Sequence, residues 1–101
     1  MNLGDIKEMF KMRGEMKKIQ DAISLLEAEG NSAGGLVKIK ASGDQRITGV
    51  QIDPKFFELK DAKKAQDYIK TAANIALDGA KRIAQNEMKK MTGLNLPGFG
   101  G

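Results

Sequence analysis

A row of basic side chains in the last part of the sequence is the clearest candidate for a functional site, because it could bind an anion. If residues 61–92 form one helix, these cations fall within an arc of roughly 120° when successive residues are placed about 100° apart. Each cation of such a row can neutralise a phosphate and release a condensed counterion, which suits the backbone of a nucleic acid. An ordinary solvated helix face is the alternative interpretation. The predicted phosphate-contacting residues are Lys63, Lys64, Lys70, Lys81, Arg82 and Lys89.

Five further lysines are secondary candidates for contact with an anion. Three fall on one side of a predicted first helix and two alternate with apolar residues in a predicted strand; they are Lys7, Lys11, Lys18, Lys38 and Lys40. Lysines on a strand are equally well explained as protection against edge-to-edge pairing. No run of aromatic residues interleaves with the cations, which argues against a protein that stacks single-stranded bases.

The composition argues against catalysis. The sequence has no histidine and no cysteine, so it lacks the usual base for a serine nucleophile, thiolate chemistry and the commonest ligands of zinc. Its serines have no recognisable activating partner, and its carboxylates show no dense pattern of ligands for a hard cation. We therefore predict no catalytic residue, no metal, no cofactor and no small-molecule substrate.

Length and charge restrict the protein class further. A chain of 101 residues has room for one domain, and a monomer of this size buries a modest core. The formal net charge of +4 favours an anionic partner. The sequence shows neither a signal peptide nor an apolar stretch long enough to span a membrane, so a cytoplasmic protein without a membrane partner is expected. We predict one domain over residues 1–92 and a flexible glycine-rich tail over residues 93–101.

The first helix is predicted from apolar residues spaced alternately three and four apart. This spacing forms the narrow seam of a coiled coil, made by Met9, Met12, Met16, Ile19, Ile23 and Leu26. The helix is expected to end near Gly30, since a glycine and turn-forming residues follow. A seam of this kind needs a partner helix, which is either the second helix of the chain or the same helix of another copy.

A small antiparallel sheet is predicted to follow a loop at residues 30–35. Residues 36–41 alternate apolar and lysine side chains, residues 42–44 favour a hairpin turn, and residues 45–52 form the return strand. The apolar positions of the return strand change phase, so we predict a bulge at Gly49. The sequence therefore predicts an α+β fold in which two or three strands lie between two long helices.

The second helix is predicted to begin after Asp61 and to end at about Thr92. Phe56 and Phe57 precede it and are expected to lie beneath the sheet. One broad face of the helix carries alanine and glycine, which permit another backbone to approach closely. Together with the seam of the first helix, this face is predicted to form the core and the subunit contact, the residues of the second helix in that contact being Ala72, Ala76 and Gly79.

Three motifs in a fixed order resemble a known family. They are Gly34-Gly35-Leu36-Val37-Lys38-Ile39, then Val50-Gln51-Ile52-Asp53-Pro54, and finally Leu96-Pro97-Gly98-Phe99 after a long alanine-rich helix. The chain resembles the YbaB/EbfC nucleoid-associated proteins over nearly its whole length. The resemblance implies a bacterial, cytoplasmic, tweezer-shaped homodimer that binds duplex DNA and is found with the nucleoid. One departure is Asn74-Ile75-Ala76, where the family often has Asn-Asp-Ala.

The leading hypothesis is a homodimer that binds duplex DNA with little preference for base sequence. Dimerisation doubles the net charge from +4 to +8 and places two basic helices on one particle. Arginine, the usual bidentate reader of guanine, occurs only at positions 13, 46 and 82. The competing hypothesis is a small dimeric adaptor that holds a protein partner and does not bind DNA. Binding to anionic lipid is less favoured, because the apolar face of the second helix lacks bulky aromatic anchors.

Overall fold

The structure, a computed structural model, describes residues 2–92 of the chain. Along the chain, three strands lie between two long helices, and a short 3-10 helix precedes the second strand and the second long helix. The elements are α1 (Leu3–Ser24), β1 (Glu27–Ser32), a 3-10 turn (Ala33–Gly35), β2 (Val37–Ser42), β3 (Ile47–Ile52), a second 3-10 helix (Pro54–Leu59) and α2 (Ala62–Thr92). The sheet is antiparallel with the order β1-β2-β3. The predicted α+β fold is confirmed, and the predicted flexible tail lies outside the described residues.

Helix α1 is shorter at its C-terminal end than the sequence predicts. It begins at an Asn2 cap, whose side-chain oxygen accepts a hydrogen bond from the backbone nitrogen of Asp5 at 3.0 Å. It ends at Ser24, so the predicted end near Gly30 is wrong. Residues 27–32 form β1 instead, paired along the whole of β2. Their composition has little strand propensity, so the partners of β1 in the fold determine its conformation.

The contact between β1 and α2 depends on the absence of a side chain at Gly30. A Cβ atom at this position would overlap the carbonyl oxygen of Ala72 and would lie 2.7 Å from the backbone nitrogen of Ala76. Both alanines have no solvent-accessible surface. The small residues of α2 therefore allow a close approach of another backbone, as predicted, and that backbone is the chain's own first strand.

The central strand follows the predicted alternation. Val37, Ile39 and Ala41 point towards α2 and are buried, whereas Lys38 and Lys40 point to the opposite face and are exposed. With Phe56 and the alanines of α2, the three apolar residues form the core of the domain. The sheet thus has one apolar face covered by a helix and one polar face in contact with solvent.

The predicted bulge in the return strand is confirmed, with a small shift in position. Gly49 pairs with Lys40 and Ile47 pairs with Ala41, so Thr48 is the extra residue. The strand begins at Ile47, two residues later than predicted. Because the bulge adds one residue, Ile47 returns to the same face of the sheet as Val50 and Ile52.

The turn between β2 and β3 holds the end of α1 in place. The backbone nitrogen of Gly43 donates a hydrogen bond to the carbonyl oxygen of Leu26 at 2.8 Å. A Cβ atom at Gly43 would overlap the carbonyl oxygen of Ile23, the one residue of α1 with a buried side chain. Only the C-terminal end of α1 is anchored in this way, since every described residue up to Lys18 is exposed.

The two phenylalanines before α2 have different environments. Phe56 is buried and its ring lies edge-on to that of Tyr68, with ring centres 6.4 Å apart. Phe57 is 71% exposed, so the prediction that both rings lie beneath the sheet is wrong for this residue. Adjacent side chains of a 3-10 helix point in directions about 120° apart, so both cannot face the same core. Helix α2 then begins after Asp61, as predicted, and the carboxylate of Asp61 accepts a hydrogen bond from the backbone nitrogen of Lys64 at 3.1 Å.

Candidate nucleic-acid interface

The basic residues of α2 form a stripe on the side of the helix opposite the buried alanines. Every predicted cation of α2 is exposed. Two adjacent pairs, Lys63-Lys64 and Lys81-Arg82, are 18 residues apart, which is five helical turns or roughly 27 Å along the helix axis. The two pairs therefore point in the same direction from the helix. We refer to these four residues with Lys70 and Lys89 as the basic stripe.

One carboxylate, Asp67, forms ion pairs with lysines in the first half of the basic stripe. The Oδ atoms of Asp67 lie 3.9 Å from the Nζ atom of Lys63 and 4.0 Å from that of Lys70. The three side chains are more than half exposed, so each pair contributes little stability, but the carboxylate lowers the positive potential around it. An approaching phosphate must compete with Asp67 for these two lysines.

The second half of the basic stripe makes no ion pair in the described chain. Within residues 2–92, no carboxylate lies within 4.0 Å of the charged groups of Lys81, Arg82 or Lys89. Asp78, one turn before the first two of these residues, is exposed and makes no ion pair in the described chain. No ion pair within the described chain therefore engages the cations of the second half. The sequence does not give this division, because Asp78 lies three residues before Lys81 and four before Arg82, the same spacings that relate Asp67 to Lys70 and Lys63.

The cations of α1 lie on a projecting segment of the chain. Lys7, Lys11 and Lys18 are exposed, as are all residues between them. Helix α1 approaches α2 near its C-terminal end, where Ile23 faces Ala84 and Met88 across a cleft of about 580 Å³. The structure therefore does not bring the N-terminal lysines of α1 into contact with the core of the domain.

The two lysines of β2 lie on a face that also carries acidic residues. Lys40 is directly opposite Glu29 of β1 in the register of the sheet. Glu27 lies on the same strand as Glu29 and accepts a hydrogen bond from the hydroxyl of Thr48 at 2.8 Å. Two glutamates thus lie on the same face as Lys38 and Lys40 and lower its net positive charge, although no ion pair within 4.0 Å joins them in the described chain, so this face is a weaker candidate for phosphate contact than α2.

The residues predicted for a subunit contact fall into two groups. Ala72 and Ala76 are wholly buried by the chain's own β1, and Gly79 lies against Ala28 of the same strand. The prediction for these two alanines is therefore corrected, because they have no accessible surface for a second subunit. In the seam of α1, Ile23 is buried, Ile19 and Leu26 are half-buried, and the residues left exposed are Met9, Met12 and Met16.

Comparison with known proteins identifies the family. The model of the YbaB/EbfC DNA-binding family matches residues 1–95. The chain belongs to this family. A protein named nucleoid-associated protein from Pelodictyon phaeoclathratiforme is 39% identical over 93 residues, which cover 91% of this chain and 82% of the relative. A protein of the same description from Clostridium novyi is 38% identical over 101 residues, with 98% and 89% of the two chains covered.

The fold of the family is also found in a solved structure. An uncharacterized protein from Helicobacter pylori superposes with a TM-score of 0.71 at 20% sequence identity, over 91% of this chain and 98% of the other. At this identity the likeness concerns the fold alone. In the part of the chain that the structure describes, neither helix is long and apolar enough to cross a membrane.

Proposed function

We propose that this member of the YbaB/EbfC family binds duplex DNA as a homodimer through the basic stripe of α2. The observation that carries the proposal is a group of exposed cations in the second half of α2 that make no ion pair in the described chain, namely Lys81, Arg82 and Lys89. The family is a DNA-binding family, and curated relatives are named nucleoid-associated proteins. The expected cellular role is the organisation of nucleoid DNA or the regulation of its genes in the bacterial cytoplasm, without catalysis.

Two properties of the chain support action as a dimer. A net charge of +4 on one copy becomes +8 on two, which strengthens the attraction to a polyanion. Helix α1 also leaves large apolar side chains exposed, namely Leu3, Ile6, Met9, Phe10, Met12 and Met16. A small domain seldom exposes so many apolar residues on one helix unless another surface covers them.

The cations favour binding that tolerates many base sequences. Lysine is the main cation of the basic stripe, and its ammonium group contacts phosphate as a point charge. Of the three arginines, Arg46 already has its guanidinium nitrogen 3.6 Å from a carboxylate oxygen of Asp44. Few arginines therefore remain that could make two hydrogen bonds to a guanine base. This favours contact with the sugar-phosphate backbone over recognition of bases.

A salt titration of duplex binding tests the proposed function. Fluorescence anisotropy with a labelled duplex is expected to show log K falling linearly with log salt, with a slope of about 0.9 for each phosphate contacted. Several duplexes of different sequence are expected to bind within a few-fold of one another. Sedimentation equilibrium of the free protein is expected to give the mass of a dimer.

The same measurements can contradict the proposal. Absence of binding at roughly 50 mM salt, where electrostatic attraction is only weakly screened, would exclude duplex DNA as the ligand. It would favour the adaptor hypothesis instead. Binding to one sequence that exceeds binding to the others by several orders of magnitude would exclude a sequence-tolerant mode, since that ratio is typical of direct base readout.

A further inference from the structure

Three methionines of α1 form an apolar surface that the described part of the chain leaves uncovered. When successive residues are placed about 100° apart, Met9, Met12 and Met16 fall within an arc of roughly 60°. Ile23 lies in the same arc and is buried against the domain. The methionines therefore continue the side of α1 that packs on the domain, yet they are 45%, 64% and 47% exposed. We refer to these three residues as the methionine face.

The direction of α1 follows from the contacts of β1 and of the end of α1 with α2. At the end of β1, the hydroxyl of Ser32 donates a hydrogen bond to the carbonyl oxygen of Tyr68 in the first part of α2, at 2.5 Å. Before β1, Ile23 lines the same cleft as Met88, close to the end of α2. Going backwards along the chain from β1 into α1, the contacts therefore move towards the C-terminal end of α2. The N-terminal half of α1 continues in that direction.

The dimensions of the protein agree with this direction. The longest dimension is 67 Å, about 20 Å more than the roughly 46 Å that the 31 residues of α2 span. All described residues up to Lys18 are exposed, so α1 does not fold back over the sheet. Seven residues, or roughly 10 Å of helix, separate Ile23 from Met16. The methionine face therefore begins beside the last turn of α2.

The segment that follows α2 has a composition suited to this surface. Residues 93–101, the tail, lie outside the described residues and carry no charged side chain. The large apolar residues of the tail are Leu94, Leu96 and Phe99. Gly93 and Pro97 disfavour continuation of the helix. The six residues from 93 to 99 can span roughly 20 Å when extended, which exceeds the roughly 10 Å of helix between Met16 and Met9.

We propose that residues 94–99 pack along the methionine face of α1 in the same chain. Methionine side chains adapt to irregular apolar partners, so this face suits a segment without regular structure. Attachment of the tail to α2 gives it a high effective concentration at α1, and a small contact area is therefore sufficient. The contact would hold the projecting half of α1 at a fixed angle to α2. It goes beyond the proposed function and does not depend on DNA binding.

The distribution of side chains around α1 favours the tail as the occupant of the methionine face. The lysines of the projecting segment lie on a side of the helix roughly 150° from the methionines, so an uncharged segment can cover the methionines and leave the lysines in solvent. These lysines are Lys7, Lys11 and Lys18. A third side carries the other exposed apolar residues, Leu3, Ile6 and Phe10. That side stays available to a second copy, so the contact is compatible with a homodimer.

Cysteine pairs test the contact directly, because the chain has no native cysteine. Leu96→Cys is combined in turn with Met9→Cys, Met12→Cys and Met16→Cys. On mild oxidation, at least one of these pairs is expected to form a disulfide within one chain, since packing brings Cα atoms within the roughly 4.4–6.8 Å that a disulfide spans. The control combines Leu96→Cys with Gly14→Cys, on the opposite side of α1, where a Cβ atom would meet nothing within 4 Å. We expect the fastest methionine-face pair to crosslink at least roughly tenfold faster than the control.

Hydrogen exchange provides a second measurement that needs no cysteine. The apolar residues of the tail are changed together, in the variant Leu94→Ser, Leu96→Ser and Phe99→Ser. Backbone amides of residues 3–18 are expected to exchange at least roughly threefold faster in this variant, because a helix without tertiary contacts is marginally stable in water. Asn95→Ser is the matched control and is expected to leave their exchange unchanged. Amides of the central strand, residues 37–42, are expected to exchange equally in all proteins.

The outcomes either establish or overturn the contact. Rapid crosslinking within one chain, together with faster exchange of residues 3–18 in the triple variant, would establish it. A disulfide that forms mainly between two chains would assign the tail to α1 of a second copy and overturn the proposal. Equal crosslinking of all four pairs, or unchanged exchange in the triple variant, would also overturn it and would agree with the flexible tail that the sequence predicts. None of these measurements involves DNA, so their results are independent of the proposed function.

Discussion

The Gly30→Ala variant is expected to lose about 3 kcal/mol or more of its free energy of unfolding. The added Cβ atom would overlap the carbonyl oxygen of Ala72 and would approach the backbone nitrogen of Ala76 to 2.7 Å. Both neighbours belong to the backbone of α2, so rotation of a side chain cannot relieve the overlap. The helix would have to move away from β1, which would open the core. Overpacking of a core ordinarily costs about 1–3 kcal/mol, and displacement of a helix backbone lies at or above that range.

Urea denaturation followed by circular dichroism measures this effect, with Gly14→Ala as the control. Gly14 lies within α1, and a Cβ atom there would meet nothing within 4 Å. Alanine is favoured over glycine in a helix by about 0.5–1 kcal/mol, so the control is expected to be as stable as the wild type or slightly more stable. Equal stability of Gly30→Ala and the wild type would contradict the close packing of β1 on α2.

Changing Lys81, Arg82 and Lys89 to glutamine is expected to weaken duplex binding far more than changing Lys63, Lys64 and Lys70. Both triple variants remove three positive charges, so their net charges are equal and only the position differs. The first set has no carboxylate neighbour within 4.0 Å in the described chain, whereas Asp67 already pairs with two residues of the second set. We expect a loss in affinity of at least roughly tenfold for the first set, and a salt slope reduced by about 0.9 for each phosphate contact removed.

An Asp67→Asn variant provides a control with the opposite sign. Loss of this carboxylate would free Lys63 and Lys70, so the affinity for duplex DNA at low salt is expected to rise. Anisotropy titrations of all three variants at matched salt concentrations make the comparison. Equal losses in the two triple variants would show that the stripe acts only through its total charge. A larger loss in the Lys63, Lys64 and Lys70 variant would place the DNA site at the start of α2.

Much of the fold could be predicted because it depends on local patterns. The alternation of Val37, Ile39 and Ala41 with lysines identified the central strand and its buried face. Asp61 marked the start of α2, and the apolar phase change in the return strand indicated the bulge. Each of these features depends on residues close together in the sequence, so residue propensity, helix capping and side-chain periodicity are sufficient to predict it. The candidate phosphate-contacting residues of α2 were identified in the same way, from the spacing of charges on one helix.

The first strand and the environment of Phe57 could not be predicted by this reasoning. Residues 27–32 contain two glutamates, a glycine and an asparagine, so their composition does not favour a strand. They form one because β2 supplies hydrogen-bonding partners and α2 supplies a surface that accepts Gly30. Phe57 lies beside Phe56 in a 3-10 helix whose geometry directs only one of the two rings inward.

The sequence by itself determined the two long helices, the β2–β3 hairpin and the row of cations along α2, because each depends on the spacing of neighbouring residues. The tertiary structure alone decided that the alanines of α2 cover β1 of the same chain. It also showed that Lys40 lies opposite Glu29 and that no helix covers the outer side of β3 in the described residues. These features depend on strand register and on the approach of backbones distant in sequence, and no local pattern of residue types encodes them.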